Sequence, residues 1–265
     1  MSERPDHIEL EVEVPGTPEE VWRAIASGPG ITSWYVPHTI EERSGGVMSA
    51  SFGDVPEMQV DGRVAAWEPP HRIVMDGGDP SEGLVFEWTI EARDGGRCVV
   101  RLINSGFGHG GEWDDQFDAM HEGWRMFLTN LRLHLEHHRG DTASVGLGSA
   151  FVEADAGAAW EAMTAALGIE TGVAPGGRVT TTGDGVPALA GTVVAIDGEH
   201  RPTQYLLRVD APAPGTAFVG VEAVGPTASL SIWTYLYGDD AEQTSGVTRP
   251  AFQALLDRVA ETVAT

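Results

Sequence analysis

Residues 16–27 read GTPEEVWRAIAS and residues 154–167 read ADAGAAWEAMTAAL. Both carry one pattern. In the first, Thr17 suits an N-cap, Pro18 the first helical position, and Glu20 closes a capping box with Thr17. Val21, Trp22 and Ile25 then form the apolar stripe of a short helix. In the second, Asp155 takes the capping position and Trp160 falls at the same spacing from it as Trp22 from Thr17, followed by EAM where the first has RAI.

Working outward, the surroundings repeat as well. Before the first copy, HIELEVEV (7–14) alternates as a half-buried strand does; before the second stands FVEAD (151–155). After the first copy, GITSWYVP (30–37) reads as another short helix ended by Pro37. Strands follow in TIEER, GGVMSASFG, MQVDGRVAAWEPP, HRIVMDGG, LVFEWTIEARDGG and RCVVRLINSGF, with a hairpin signal in DGG (94–96). A long helix runs from near Gly111–Glu112 to about His138. After the second copy, strands recur in RVTTTG, LAGTVVAIDG, QYLLRVDA, TAFVGVEAVG and SLSIWTYLYG. The helix TRPAFQALLDRVAETVA follows, with the stripe Phe252, Leu255, Leu256, Val259 and Val263. Each half is thus strand, short helix, antiparallel strands, long helix: an internal duplication of α+β units. The domains are placed at 1–140 and 148–265, with 141–147 as a small, polar linker. The second half has only IETGVAPGG where the first has GITSWYVP, so the halves are not expected to do identical work.

The composition, 42% hydrophobic and 21% charged over 265 residues, is that of a globular chain. No apolar run is long enough to span a membrane, and the N-terminus has no signal-peptide core, so a cytoplasmic protein is expected. Sixteen basic residues, all arginine, face 40 acidic ones, for a formal charge of −24. Without lysine there is no Schiff-base chemistry and no Walker-type phosphate lysine. The acidity repels nucleic-acid backbones and anionic lipid headgroups. The single Cys98, in the strand-like run CVVRLI, reads as a structural thiol. HExxH, GxSxG and GxGxxG are missing in any strand–helix context, and neither cofactor nor metal is expected.

On the long helix, Asp114, Asp118 and His121 share one face, with Arg125 beside them. A metal site needs more convergent ligands, and the face reads as solvated. His134, His137 and His138 end the same helix, where histidines meet the dipole favourably. Asn104, Ser49, Ser51 and Asp61 are the polar residues that alternation could turn inward, and Asp61 is the strongest of them as an acid or base. No residue receives a catalytic assignment.

One long helix laid across a curved sheet leaves a space between them, roofed by the short helices, and small hydrophobic ligands bind in concavities of this kind. The ligand-binding residues assigned from alternation and helical spacing are Trp34, Tyr35, Phe52, Phe86, Trp88, Asn104, Phe117, Met120 and Trp124. Trp233, Tyr235 and Tyr237 share a face in the second half.

The series TPEEVWRAI, ITSWYVP, DGRVAAWEPPHRIVM, FEWTIEARDGGRCVVRLINSGFG and DAMHEGWRMFLTNLRLHLE resembles the bacterial branch of the activator of heat-shock-protein-90 ATPase homologue family. That family lies within the START/Bet v allergen-like helix-grip superfamily. The likeness covers residues 7–139. SGF after the last strand and the pattern of His121, Gly123 and Trp124 are its most specific parts; residues 148–265 look like a diverged second copy with a reduced lid. The resemblance implies two helix-grip domains, each a curved antiparallel sheet wrapped around its long C-terminal helix, with an internal cavity. The superfamily holds carriers, polyketide cyclases and aromatases, and chaperone regulators, so fold alone does not choose among them. The reading taken is non-enzymatic binding of a small hydrophobic molecule in the cavity between sheet and C-terminal helix. The alternatives are a polyketide cyclase/aromatase-like enzyme and a protein-partner, chaperone-regulator-like module. A homodimer is compatible with the sequence and demanded by nothing in it.

Overall fold

Alternation in the first strand sets the two faces of the first sheet. In the computed structural model, which describes residues 5–53, 56–77, 83–108, 111–197, 203–224 and 226–264, β1 (His7–Pro15) turns Ile8 and Val14 inward. Its outward Glu11 meets Arg101 of β7 (Arg97–Ser105) at 2.6 Å, and Glu13 pairs with Arg97. Exposed pairs of this kind are screened by water and fix register more than stability.

The capping box is formed as the sequence requires. The Thr17 hydroxyl accepts from the Glu20 N–H at 3.3 Å and the Glu20 carboxylate accepts from the Thr17 N–H at 2.8 Å, starting α1 (Pro18–Ala26). A second turn of helix, α2 (Gly28–Thr32), is capped by Ser27. Gly30 is packed against α1 so closely that a Cβ there would lie 1.9 Å from the Arg23 carbonyl oxygen, so no larger residue fits. Then come β2 (His38–Ile40), β3 (Val47–Ser51), β4 (Gln59–Glu68), β5 (Arg72–Asp76), β6 (Val85–Arg93), β7 and the long α3 (Gly111–His137). The seven strands run antiparallel in the order β1-β7-β6-β5-β4-β3-β2, so the first strand pairs with the last and the sheet order then descends. The core between sheet and helix is built from Val14, Leu102, Trp88 and Ile73 on the strands and Trp124, Leu128, Leu131 and Leu135 on α3.

The second unit repeats this plan with one strand fewer. Its elements are β8 (Ser144–Val152), α4 (Ala156–Leu167), β9 (Arg178–Thr180), β10 (Ala190–Asp197), β11 (Gln204–Ala211), β12 (Gly215–Val224), β13 (Thr227–Leu236) and α5 (Ala241–Val263), with sheet order β8-β13-β12-β11-β10-β9. Asp155 caps α4 through the N–H groups of Gly157 and Ala158. A bulge lies between Val64 and Ala66 in β4 and another between Val193 and Ala195 in β10, the matching strand of the second sheet. Bulges bend a strand and increase its twist, and both copies bend their sheet at the same strand. No helix corresponding to α2 stands between α4 and β9, and β2 has no counterpart. Both units are helix-grip folds of the α+β class.

Three expectations are corrected here. The stretch 141–147 is not a linker: β8 begins at Ser144, and the division falls between Met1–Thr142 and Ala143–Thr265. Small residues there serve close packing, since a Cβ on Gly146 would lie 2.9 Å from the Thr234 hydroxyl oxygen and 3.2 Å from that of Ser245. Next, α5 begins seven residues before Thr248, at Ala241, and carries Pro250 inside it. Finally, Trp233 and Tyr235 lie on the face of β13 opposite Thr234, whose side approaches α5, so they do not line the space between helix and sheet. On α5, Gln253 reaches the outer side of the edge strand β8. Its side-chain oxygen accepts from the Ser149 N–H at 3.0 Å and its amide donates to the Ser149 carbonyl at 2.8 Å.

Candidate functional site

In the first unit a cavity of about 300 Å³ opens between sheet and helix. Its floor comes from alternating positions on four strands: Met48 and Ala50 of β3, Val60 of β4, Met75 of β5, and Phe86 and Trp88 of β6, extended by Phe52, Asp76, Gly77 and Leu84. Its far wall is Met120 and Trp124 of α3. Its third side is the segment that follows α1, through Ile31, Tyr35 and His38. The register explains which residues arrive together: Met48 faces Gly62, Met75 faces Phe86, and Ile73 faces Trp88 across the ladders. Three methionines among aromatic rings make a lining that adapts its shape at little cost.

The rings form a connected array. Tyr35 lies 4.8 Å from Trp124 and 4.6 Å from Phe127 between centroids, and Trp124 lies 5.4 Å from Trp88 in a T-shaped pair. Trp88 is 1% exposed, and its indole N–H has no hydrogen-bond acceptor.

Of the nine residues assigned to the pocket, Tyr35, Phe52, Phe86, Trp88, Met120 and Trp124 line the cavity. The other three do not. Trp34 is wholly buried behind Tyr35, where its indole N–H donates to the Ala24 carbonyl at 2.8 Å; it holds the roof and forms no part of the lining. Asn104, also wholly buried, donates to the Val85 carbonyl at 3.2 Å, one register position from the cavity on β7. Phe117 packs on Phe107 at 5.0 Å in a separate small cluster with Ile8. Adjacent residues diverged because a segment between helix and strand has no period from which to tell Trp34 from Tyr35.

The polar candidates resolve in the same way. Asp61 and Ser49 are register partners on the face opposite Met48 and Gly62, so both point away from the cavity, and Ser51 shares that outward side. Asp118 is exposed and the His121 side chain is 38% exposed, with an oxygen of Glu122 3.6 Å from its Nδ1. This is a wet helix face; the side chains of Trp113 and Asp114 lie outside the described residues. Cys98 is buried with its thiol toward the Gly16 carbonyl at 3.3 Å, and burial raises its pKa, as suits a structural thiol. His134 is buried at the far end of α3, with its pKa lowered by burial to about 4. Among the described residues no cluster of three metal-ligating side chains forms, and no helix is long and apolar enough to cross a membrane.

The residue that sequence reasoning missed is His38. Its Nδ1 lies 2.7 Å from the Val36 carbonyl oxygen, an acceptor only, so Nδ1 carries the proton and Nε2 is left as a bare acceptor. Burial lowers its pKa to about 4, with the Val36 contact opposing the shift. Tyr35, whose ring centroid lies 5.5 Å from that of His38, has its phenol pKa pushed up by burial alone. Among the described residues nothing hydrogen-bonds the Tyr35 hydroxyl or His38 Nε2. The only sequence signal was a polar residue placed directly after Pro37, at the end of the roofing segment.

A second and larger cleft, about 560 Å³, lies at the other end of the same unit among Trp22, Arg23, Glu42, Trp67, His134 and Arg139. Its charged groups are partly engaged with one another, as in the Arg139–Glu20 pair at 3.2 Å. It is wetter and lacks an enclosing apolar wall, so the cavity under α3 is the better ligand site.

Residues 15–136 match the family model described as activator of Hsp90 ATPase homolog 1-like protein. The match lies wholly within the first unit. The match ends at the foot of α3, so the activator-like unit holds the whole cavity. Similar solved structures include DynU16, a protein of the dynemicin biosynthetic locus, 20% identical over 98% of this chain and 100% of that one with a TM-score of 0.43. The di-domain ARO/CYC BexL from the BE-7585A biosynthetic pathway is 19% identical over 97% of this chain and 93% of its own, with a TM-score of 0.44. The Aha1 dimer from Colwellia psychrerythraea is 18% identical over 51% of this chain and 98% of its own, with a TM-score of 0.42. No curated protein matches the chain.

Proposed function

We propose that the activator-like unit binds a small, largely apolar molecule in the cavity under α3 and leaves it chemically unchanged. The observation that carries this reading is the cavity itself: about 300 Å³ walled by aromatic and methionine side chains, with two polar groups, the Tyr35 hydroxyl and His38 Nε2, that no described residue bonds. Pockets of that composition gain affinity from apolar burial, and a few convergent polar groups fix orientation.

An acid–base enzyme of the cyclase or aromatase kind is the second reading, and His38 is what favours it. The magnitude argues the other way. A base whose conjugate acid has a pKa of about 4 has little driving force to take a proton near neutrality, whereas as a hydrogen-bond acceptor it is always in the right form. A partner-binding module would present a contiguous apolar face. Among the described residues the exposed large hydrophobics, Val47, Phe151, Ile196 and Val247, fall on four different elements, β3, β8, β10 and α5.

Native mass spectrometry of the freshly purified protein tests the reading. The expected result is an apolar species bound one per chain and released intact on denaturation. An empty protein that also takes up no apolar probe would end it. The same spectrum reads self-association.

A further inference from the structure

The cavity's polar groups come from the two ends of the run Tyr35-Val36-Pro37-His38, and they have a definite sign. The imidazole is locked by the Val36 carbonyl, 2.7 Å from Nδ1, so Nε2 can only accept. Among the described residues nothing bonds the Tyr35 hydroxyl beside it, which can donate or accept. Among the described residues no arginine lines the cavity and the one carboxylic acid in the lining is Asp76, paired with Arg63 at 2.8 Å; the chain has no lysine. A carboxylate or phosphate entering this space would leave water with no cation to meet it, and would face an imidazole lone pair. Burying an unpaired charge costs far more than an apolar pocket returns.

Resting on the binding function proposed above, we infer that the ligand is an uncharged apolar molecule bearing a hydroxyl, or an equivalent O–H or N–H donor, which it gives to His38 Nε2 with Tyr35 completing the contact. Anionic amphiphiles such as fatty acids are excluded by the same geometry. His38 and Tyr35 are then the specificity-determining pair. The segment that carries them is the one the second unit lacks, since no helix or strand there corresponds to α2 and β2. Recognition of this ligand therefore belongs to the first unit alone.

Three probes of one shape test the inference by calorimetry on the full chain: 2-naphthol, 2-methoxynaphthalene and 2-naphthoate. A hydrogen bond that is lost while its buried acceptor stays unpaired costs roughly a factor of ten or more in affinity. Wild type should hold the naphthol at least about ten-fold tighter than the methyl ether and take up no naphthoate. In His38→Phe the preference for naphthol over its ether should collapse, while the ether binds as before or better. His38→Gln serves as a second variant, since its side-chain oxygen can accept and should restore part of the preference. Equal affinity for naphthol and ether in wild type, or tight naphthoate binding, overturns the inference and leaves the apolar-ligand function standing. Uptake of none of the three overturns both.

Discussion

The imidazole of His38 gives its Nδ1 proton to the carbonyl of Val36, two residues back in the chain, across 2.7 Å. This bond ties the side chain of a cavity-lining residue to its own backbone and leaves the other nitrogen as an acceptor. Burial then keeps the ring neutral, with a pKa of about 4 in place of the ordinary 6.5.

That shift has a sign in stability. The unfolded chain takes up a proton at His38 near pH 6.5 and the folded chain only near pH 4, so between these values the unfolded state binds more protons and stability falls as pH falls. Urea melts at pH 7 and pH 5 should show the loss, and His38→Gln should reduce it by roughly 1–2 kcal/mol. His134, lowered to about 4 by the same cause, leaves a residual slope in the variant. A variant as pH-sensitive as wild type would place His38 in water.

Trp34 and Tyr35 are neighbours with opposite duties, which separates two effects. Trp34→Phe removes the N–H that satisfies the buried Ala24 carbonyl and should cost about 1–3 kcal/mol of stability, with little change in the affinity of a bound apolar probe. Tyr35→Phe should leave stability within about 1 kcal/mol and lower affinity for a hydroxyl-bearing probe. Thermal melts paired with calorimetry read both, and the reverse pattern would exchange the two assignments.

Asn130 fastens the roof to the long helix. Its amide donates to the Trp34 carbonyl at 2.8 Å, both partners being buried. Asn130→Ala should lower stability by about 1–3 kcal/mol and speed release of a cavity-bound fluorophore, because the segment bearing Tyr35 and His38 loses its anchor. Unchanged release in stopped flow would show that the roof is held by packing alone.

The repeated caps offer a symmetric check on the duplication. Thr17→Ala and Asp155→Ala each remove a side chain that satisfies helix-terminal N–H groups, and each should cost about 1 kcal/mol. Hydrogen exchange should place the first loss in α1 and the second in α4. Protection lost equally at both helices in either variant would contradict a local effect.

How much of this was legible beforehand follows from where a period exists. Capping chemistry marked α1 and α4, alternation assigned Phe86 and Trp88 to one face, and helical spacing put Met120 and Trp124 on the inner side of α3. Alternation names two faces without saying which is inner; Asp61 was misplaced because only its pairing with Ser49, opposite Met48, decides that. The α2–β2 connection has neither period, so His38 escaped notice and Trp34 was assigned to the lining together with Tyr35. Phe117 kept its helical spacing but lies toward Phe107, beyond the end of the cavity. The strand at Ser144 was hidden by glycines chosen for close approach to a helix, a composition that otherwise marks a flexible connection.

Gln253 bears on a different hazard. An edge strand offers a row of unpaired backbone groups on which another chain can dock and propagate a sheet. By answering both the N–H and the carbonyl of Ser149, the glutamine amide imitates the next strand for the length of one residue and stops the row in its middle. A newly made chain whose α5 has not yet settled would present β8 bare, so the order in which helix and sheet come together governs how long the molecule is open to fibre-like association.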